Sequence, residues 1–243
     1  MAKSKLPQAD IGPFGGFGPE ALSFLEDLGA NQNREWFLTH KEIYDDQIRR
    51  PMESLVETLS LAFAAHDVPL TGSAKTSLFR INRDVRFAKD KSPYKTNAGA
   101  VMSRDGTKGG IGILYIQVGG DEGAFMALGF YGPEPEDLTA LRQAVATDPG
   151  RWRAVEAALD DAGLVLSRGS PMVRMPKGYE AFAGTAVADV LKYRSLVVSR
   201  QVAPTRIGEP AFVDDIVAFA RAGLPLLDFG RRAIDRARGA RRT

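Results

Sequence analysis

The stretch 112–132, GILYIQVGGDEGAFMALGFYG, decides the fold class. Two runs rich in β-branched and aromatic residues flank Gly119-Gly120-Asp121-Glu122-Gly123, and glycine and aspartate supply the backbone conformations a tight connection demands. The pattern predicts an antiparallel hairpin. Upstream, SLFRIN (77–82) and GAVMSR (99–104) read as further short strands, and downstream so do LVLSR (164–168), MVRM (172–175) and SLVVSRQV (195–202).

Around this block the periodicity is helical. A helix is expected from Pro19, with Ala21, Leu22, Phe24, Leu25 and Leu28 on one face and Gly29 as its stop. The segment 31–66 opens with an Asn33 cap and reads as a long helix or a helix pair broken near Pro51, because proline lacks a ladder donor. Helices are expected over 135–148, 151–163 and 188–194, and a last long one from about Ala211, kinked at Pro225. The expected fold is α+β: a central antiparallel sheet of hairpins flanked by N-terminal and C-terminal helices in a single domain. The expected boundaries are a Gly/Pro arm over 1–18 with Phe14 and Phe17 as anchors, a domain over 19–230, and a basic arginine-rich tail over 231–243.

Composition narrows the function classes. The chain has 243 residues, 32 Lys and Arg against 30 Asp and Glu, and a net charge of +2. With no cysteine, a disulfide scaffold, a thiolate metal site and a cysteine nucleophile are excluded. The two histidines, His40 and His66, leave little room for a histidine-rich zinc site. His40 lies one turn from Trp36 and from Tyr44, so packing between aromatics is its expected role, and His66 is placed at a helix C-terminus. No apolar run is long enough for a membrane span, and no apolar h-region follows the N-terminal lysines, so a cytoplasmic location is the default expectation. A phosphate loop of the G-x-x-x-x-G-K-[ST] type and a G-x-S-x-G elbow are both missing. Gly109-Gly110-Ile111-Gly112 precedes a strand and reads as turn chemistry, so no cofactor is named by the sequence.

One segment stands apart. In LFRINRDVRFAKDKSPYKTN (78–97), six basic residues, Arg80, Arg83, Arg86, Lys89, Lys91 and Lys95, face only Asp84 and Asp90, a net of +4 within sixteen positions. Phe79, Ile81, Val85 and Phe87 fall on odd positions and Arg80, Asn82, Asp84 and Arg86 on even ones, so an extended stretch would bury one face and present the other. Arg83 breaks the alternation, which a bulge or a short helical turn there would explain. Asp84 between arginines is expected to hold a low pKa and to orient their guanidinium forks. The interleaved Phe, Tyr and Pro imply a partly buried constellation.

At these residues the chain resembles a widespread, mainly bacterial family of conserved hypothetical proteins that carry a domain of unknown function. Its hallmark is similar to R-x-x-R-D-x-R-F-x-x-D-K-x-x-Y, here Arg80, Arg83, Asp84, Arg86, Phe87, Asp90, Lys91 and Tyr94. An N-terminal element matches at Asn33, Arg34, Trp36, Phe37, His40, Lys41 and Tyr44, and later elements match at Pro176, Gly178, Tyr179, Leu191 and Arg194. Relatives often carry Asp-His-Pro after the Gly-Tyr element, whereas this chain reads EAFAGTAVAD. The resemblance therefore implies site residues and no reaction.

Three functions compete. The first is a site for a small anionic or phosphorylated ligand, with or without catalysis, in which Arg80, Arg83, Arg86, Lys91 and Lys95 bind the anion. Asp84, Asp90 and Tyr94 are its candidate catalytic groups, either aspartate serving as base or Mg2+ ligand, although no metal site is assigned. The second is nucleic-acid binding through the same face and the arginines after 230, with Phe87 and Tyr94 stacking on bases. The third is a salt-bridge network that braces an interaction protein. Arg34, Glu35 and Arg142 are further candidates from the helices.

Partitioning the charge sharpens the choice. Positions 231–243 hold six arginines and one aspartate, a net of +5, so with the +4 segment set aside as well the remaining residues sum to −7. An acidic body carries two basic patches.

Overall fold

The structure, a computed structural model, describes residues 12–240. Residues 1–11 of the expected arm and 241–243 of the expected tail, Arg241 and Arg242 included, lie outside the described residues. The fold is α+β. Strands β1 (Asn97–Met102), β2 (Ile113–Gly119), β3 (Ala124–Phe130) and β4 (Leu196–Val202) form one antiparallel sheet in the order β1-β2-β3-β4. The β2–β3 connection is the predicted tight turn. Gly119, Gly120 and Gly123 take φ of 79°, 80° and 71°, which L side chains rarely adopt, and the Gly123 amide closes on the Gly120 carbonyl at 3.0 Å.

The chain divides into two compact units. The first comprises residues 12–108, Ile116–Phe125 and Gln201–Val217. Here α1 (Ala21–Ala30) buries Ala21, Phe24, Leu25 and Leu28, and runs one residue past its expected glycine stop. In α2 (Arg34–Thr39) the Asn33 side chain caps the Trp36 amide at 2.8 Å. Then α3 (Lys41–Tyr44) passes through a π turn over Asp45–Arg49 into α4 (Arg50–Ala65), whose face of Met52, Leu55, Val56, Leu59 and Phe63 is buried. Of the two alternatives for this segment, a break near Pro51 does not occur, and helix runs on through it. Pro51 occupies the first turn of α4, right after the wider π turn, where a missing N–H does not interrupt a regular ladder. A short turn of helix, α5 (Ala74–Ser77), leads into the basic segment. Phe14 and Phe17 are buried, their rings 5.5 Å apart edge to face, and the Phe17 amide bonds the Ile207 carbonyl.

The second unit comprises Gly109–Tyr115, Met126–Arg200 and residues 218–240. It holds α6 (Pro135–Thr147), α7 (Pro149–Asp161), α8 (Ala188–Lys192) and α10 (Leu224–Ala240), with Trp152 fully buried against Phe229. The last long helix is two: α9 (Phe212–Ala222) ends at Gly223, and Pro225 lies in the first turn of α10. Gly129, at φ 137°, lies where an added Cβ would meet the Leu196 carbonyl at 2.1 Å, so glycine permits the close approach of β4. Three expected strands are absent. SLFRIN begins at the end of α5 and contributes only isolated bridges at Leu78 and Asn82. LVLSR contributes a single bridge, Leu166 to Val198, and MVRM is irregular with Val173 exposed, because Gly169, Pro171 and Pro176 punctuate a stretch too short to pair.

Candidate functional site

The basic segment is a hairpin-like excursion beside β1. Leu78 bridges Ala100, the Phe79 amide bonds the Gly99 carbonyl, and Asn82 bridges Tyr94. Four residues separate the bridged positions on one side and six on the other, so the returning side carries a bulge. The last rung is the Arg83 amide to the Pro93 carbonyl at 2.8 Å, and beyond it the chain loops freely from Asp84 to Ser92. The alternation in the sequence holds only as far as that rung. Ile81 is buried and Val85 half-buried, but Phe87 is 94% exposed, so the constellation is not the partly buried one its aromatics implied. With no ladder past Arg83, no body remains for odd-numbered side chains to pack on.

Within the loop the charges pair locally. Arg86 grips Asp84 bidentately, Nε to Oδ1 at 2.9 Å and Nη2 to Oδ2 at 2.7 Å. The Asp84 carboxyl is held below its ordinary range by those bonds, by the Arg86 amide, and by the Arg80 charge. Arg83 pairs with Asp90, whose Oδ1 also accepts from the Ser92 hydroxyl at 2.6 Å and amide at 2.9 Å. Those Ser92 bonds and the Arg83 pair hold Asp90 far below the usual carboxylate range. Lys91 donates to the Val85 carbonyl at 2.9 Å and to that of Arg86 at 3.4 Å. Arg83, Arg86 and Lys91 are thus occupied in shaping the loop. A carboxylate this acidic is a weak base, and among the described residues no group of three or more His, Asp or Glu could hold a metal ion.

At the root of the loop the arrangement is different. Phe79 is 38% exposed, with Lys95 Nζ 5.0 Å and Lys108 Nζ 5.3 Å from its ring centroid. Burial first, then the charges of Arg80 and Lys108, pull the Lys95 ammonium below its ordinary pKa. Among the described residues none of these three cations forms a salt bridge with a carboxylate. Lys108 was not legible as a site residue. It follows a turn shaped by Asp105, whose Oδ1 accepts from Ser103 Oγ and from the amide and hydroxyl of Thr107. Nothing in that local pattern signals proximity to Phe79.

The N-terminal element meets this segment through rings. Tyr94, 5% exposed, stacks on Phe37 at 4.4 Å and donates its amide to Gln32 Oε1 at 3.0 Å. Phe37 and Phe24 flank Tyr44, whose burial pushes its hydroxyl up to about 12. His40 stacks on Trp36 at 4.1 Å with Nδ1 2.8 Å from the Trp36 carbonyl, and His66 caps the C-terminus of α4. Along the π turn Lys41 and Arg49 both pair with Asp45, and Arg49 also with Glu53. Arg34 and Glu35 are exposed on α2. In the second unit Arg142 donates to the Leu191 carbonyl at 2.8 Å and that of Tyr193 at 3.1 Å, which ties α6 to the end of α8.

The arginines after residue 230 do not form a free tail over the described positions, because α10 continues to Ala240. Arg231 is 5% exposed and donates to the Ile111 carbonyl at 3.3 Å and the Gly112 carbonyl at 2.8 Å. Arg238 grips Asp137 bidentately at 3.1 and 2.8 Å. No described helix is long and apolar enough to cross a membrane. Comparison with curated proteins and with solved structures returned no match. A family model described as conserved hypothetical protein, DUF2461, matches residues 20–229, and the chain belongs to that family.

Proposed function

We propose that the chain binds a small anion, a phosphate or carboxylate compound, at Arg80, Lys95 and Lys108 beside Phe79, at the root of the loop from Arg83 to Pro93. One observation carries this reading: the Lys95 and Lys108 ammonium groups gather at one ring, the Arg80 charge reaches Lys95, and none of the three forms a salt bridge with a carboxylate among the described residues. Mutual repulsion makes that cluster costly when empty, and an anion relieves it. Asp84, Asp90 and Tyr94 serve this site by holding its shape, since each is committed to an arginine or to packing.

Calorimetric titration with inorganic phosphate and pyrophosphate at low salt tests it. Binding is expected, weakened by salt, with Arg80→Ala and Lys108→Ala each lowering affinity about tenfold, the equivalent of roughly 1.4 kcal/mol. No heat from any anion, or unchanged affinity in both variants, would sink the reading.

A second reading, single-stranded nucleic acid, draws on Phe87, which stands 94% exposed with the Arg86 guanidinium 5.9 Å from its ring centroid. Support from the C-terminal arginines is reduced, because Arg231 and Arg238 already have partners within the second unit. An oligonucleotide whose affinity drops on Phe87→Ala while phosphate binding stays intact would favour this second reading.

A further inference from the structure

We propose that the Lys95 amine is the reactive group of the cation cluster and condenses with small oxo acids, whose carboxylate is held by Arg80 and Lys108. The inference rests on the anion-binding reading above and adds to it a nucleophile and a ligand class. Its basis is the surroundings of Lys95. Lys192, the other half-buried lysine among the described residues, faces Asp189 at 3.4 Å, and even the exposed Lys41 and Lys91 are bonded, Lys41 to Asp45 and Lys91 to two carbonyls. Lys95 is half-buried against the Phe79 ring, has no carboxylate partner to hold its proton, lies at the same ring as Lys108, and feels the charge of Arg80. A lysine desolvated beside other cations exposes a free amine at lower pH than an ordinary one, and that is the form that attacks a carbonyl. The lowered pKa of Lys95 agrees with this geometry.

The same cations that disfavour the ammonium attract the substrate's carboxylate, which sits one bond from the carbonyl in a 2-oxo acid. Lys95 Nζ and Lys108 Nζ lie 5.0 and 5.3 Å from the centroid of one ring, and in the proposed complex the carboxylate and the carbonyl of one small molecule lie between them. In the step itself Lys95 Nζ gives up a proton to solvent and its lone pair attacks the carbonyl carbon. The carbinolamine then loses water, leaving a carbon–nitrogen double bond between substrate and lysine. No electrons are exchanged, and the imine reverses on hydrolysis.

Borohydride trapping is the test. The intact protein is incubated with pyruvate or glyoxylate and sodium borohydride, which delivers hydride to the imine carbon and fixes a secondary amine, and the adduct is located by peptide mass spectrometry. One adduct per chain is expected, on the peptide containing Lys95. Excess inorganic phosphate should suppress it, Lys95→Arg should abolish it while keeping the charge and the folded spectrum, and Lys108→Met should slow it at least fivefold. Labelling spread evenly over exposed lysines such as Lys75, Lys89 and Lys177, or none on Lys95, overturns the proposal. If phosphate still binds by calorimetry when trapping fails, only the reactive-lysine inference falls. If neither occurs, the anion site falls with it.

Discussion

The two basic stretches of this chain, Arg80–Lys95 and the arginines that follow residue 230, look alike in composition and differ in what their charges do. On α10, Arg231 is buried on two backbone carbonyls and Arg238 is clamped by Asp137, so those guanidinium groups hold the second unit together. In the first unit, Arg83 and Arg86 pair with aspartates within the exposed loop, while Arg80 and Lys95 at its root, with Lys108, form no salt bridge among the described residues. Net charge alone does not separate structural arginines from a binding surface. The difference lies in whether an acceptor is built beside each cation and whether water reaches it.

Three substitutions would break or sharpen that contrast. The largest effect is expected from Arg231→Met, which removes donors from the Ile111 and Gly112 carbonyls in a buried setting. A loss of about 2–3 kcal/mol is the scale for charged hydrogen bonds of this kind, measurable by urea unfolding. A stability equal to the parent's would place Arg231 among the idle surface charges. Arg238→Ala removes a bidentate pair in which Asp137 is nearly buried but Arg238 is half exposed. A cost of about 1 kcal/mol or less is expected for such a pair, shrinking as salt is raised, and a thermal melt at two ionic strengths reads it. Asp84→Asn should do least to stability, because both members of its pair are open to solvent. A large fall in melting temperature for that variant would restore the view of the loop as a fold-bracing network and remove the contrast with α10.

The segment from Arg80 to Tyr94 shows how far residue spacing reaches. Its Asp84–Arg86 pair lies two residues apart and was legible, because a short side chain and a long one at that spacing meet in almost any loop. The Asn33 cap and the Gly119–Gly123 turn were legible for the same reason, their hydrogen bonds closing within a few residues. The burial of the odd-numbered face was not. Period-two alternation implies a buried face only where a ladder continues, and pairing stops at Arg83. Pro51 misled in a related way, since its cost depends on the turn before it, and a π turn absorbs the missing donor.

The sequence by itself determined the α+β class, the central hairpin, most helix positions and the concentration of charge at 80–95, since each depends on periodicity or on contacts between near neighbours. Only the tertiary structure decided which cations are paired with an acceptor. Lys108 approaches Phe79 and Lys95 across the fold, Tyr94 is anchored by Phe37 of α2 and by Gln32 of the α1–α2 connection, and Arg231 turns inward to carbonyls far away in the chain. Coulombic surroundings and desolvation are sums over everything nearby in space, and no local pattern of residues encodes that sum.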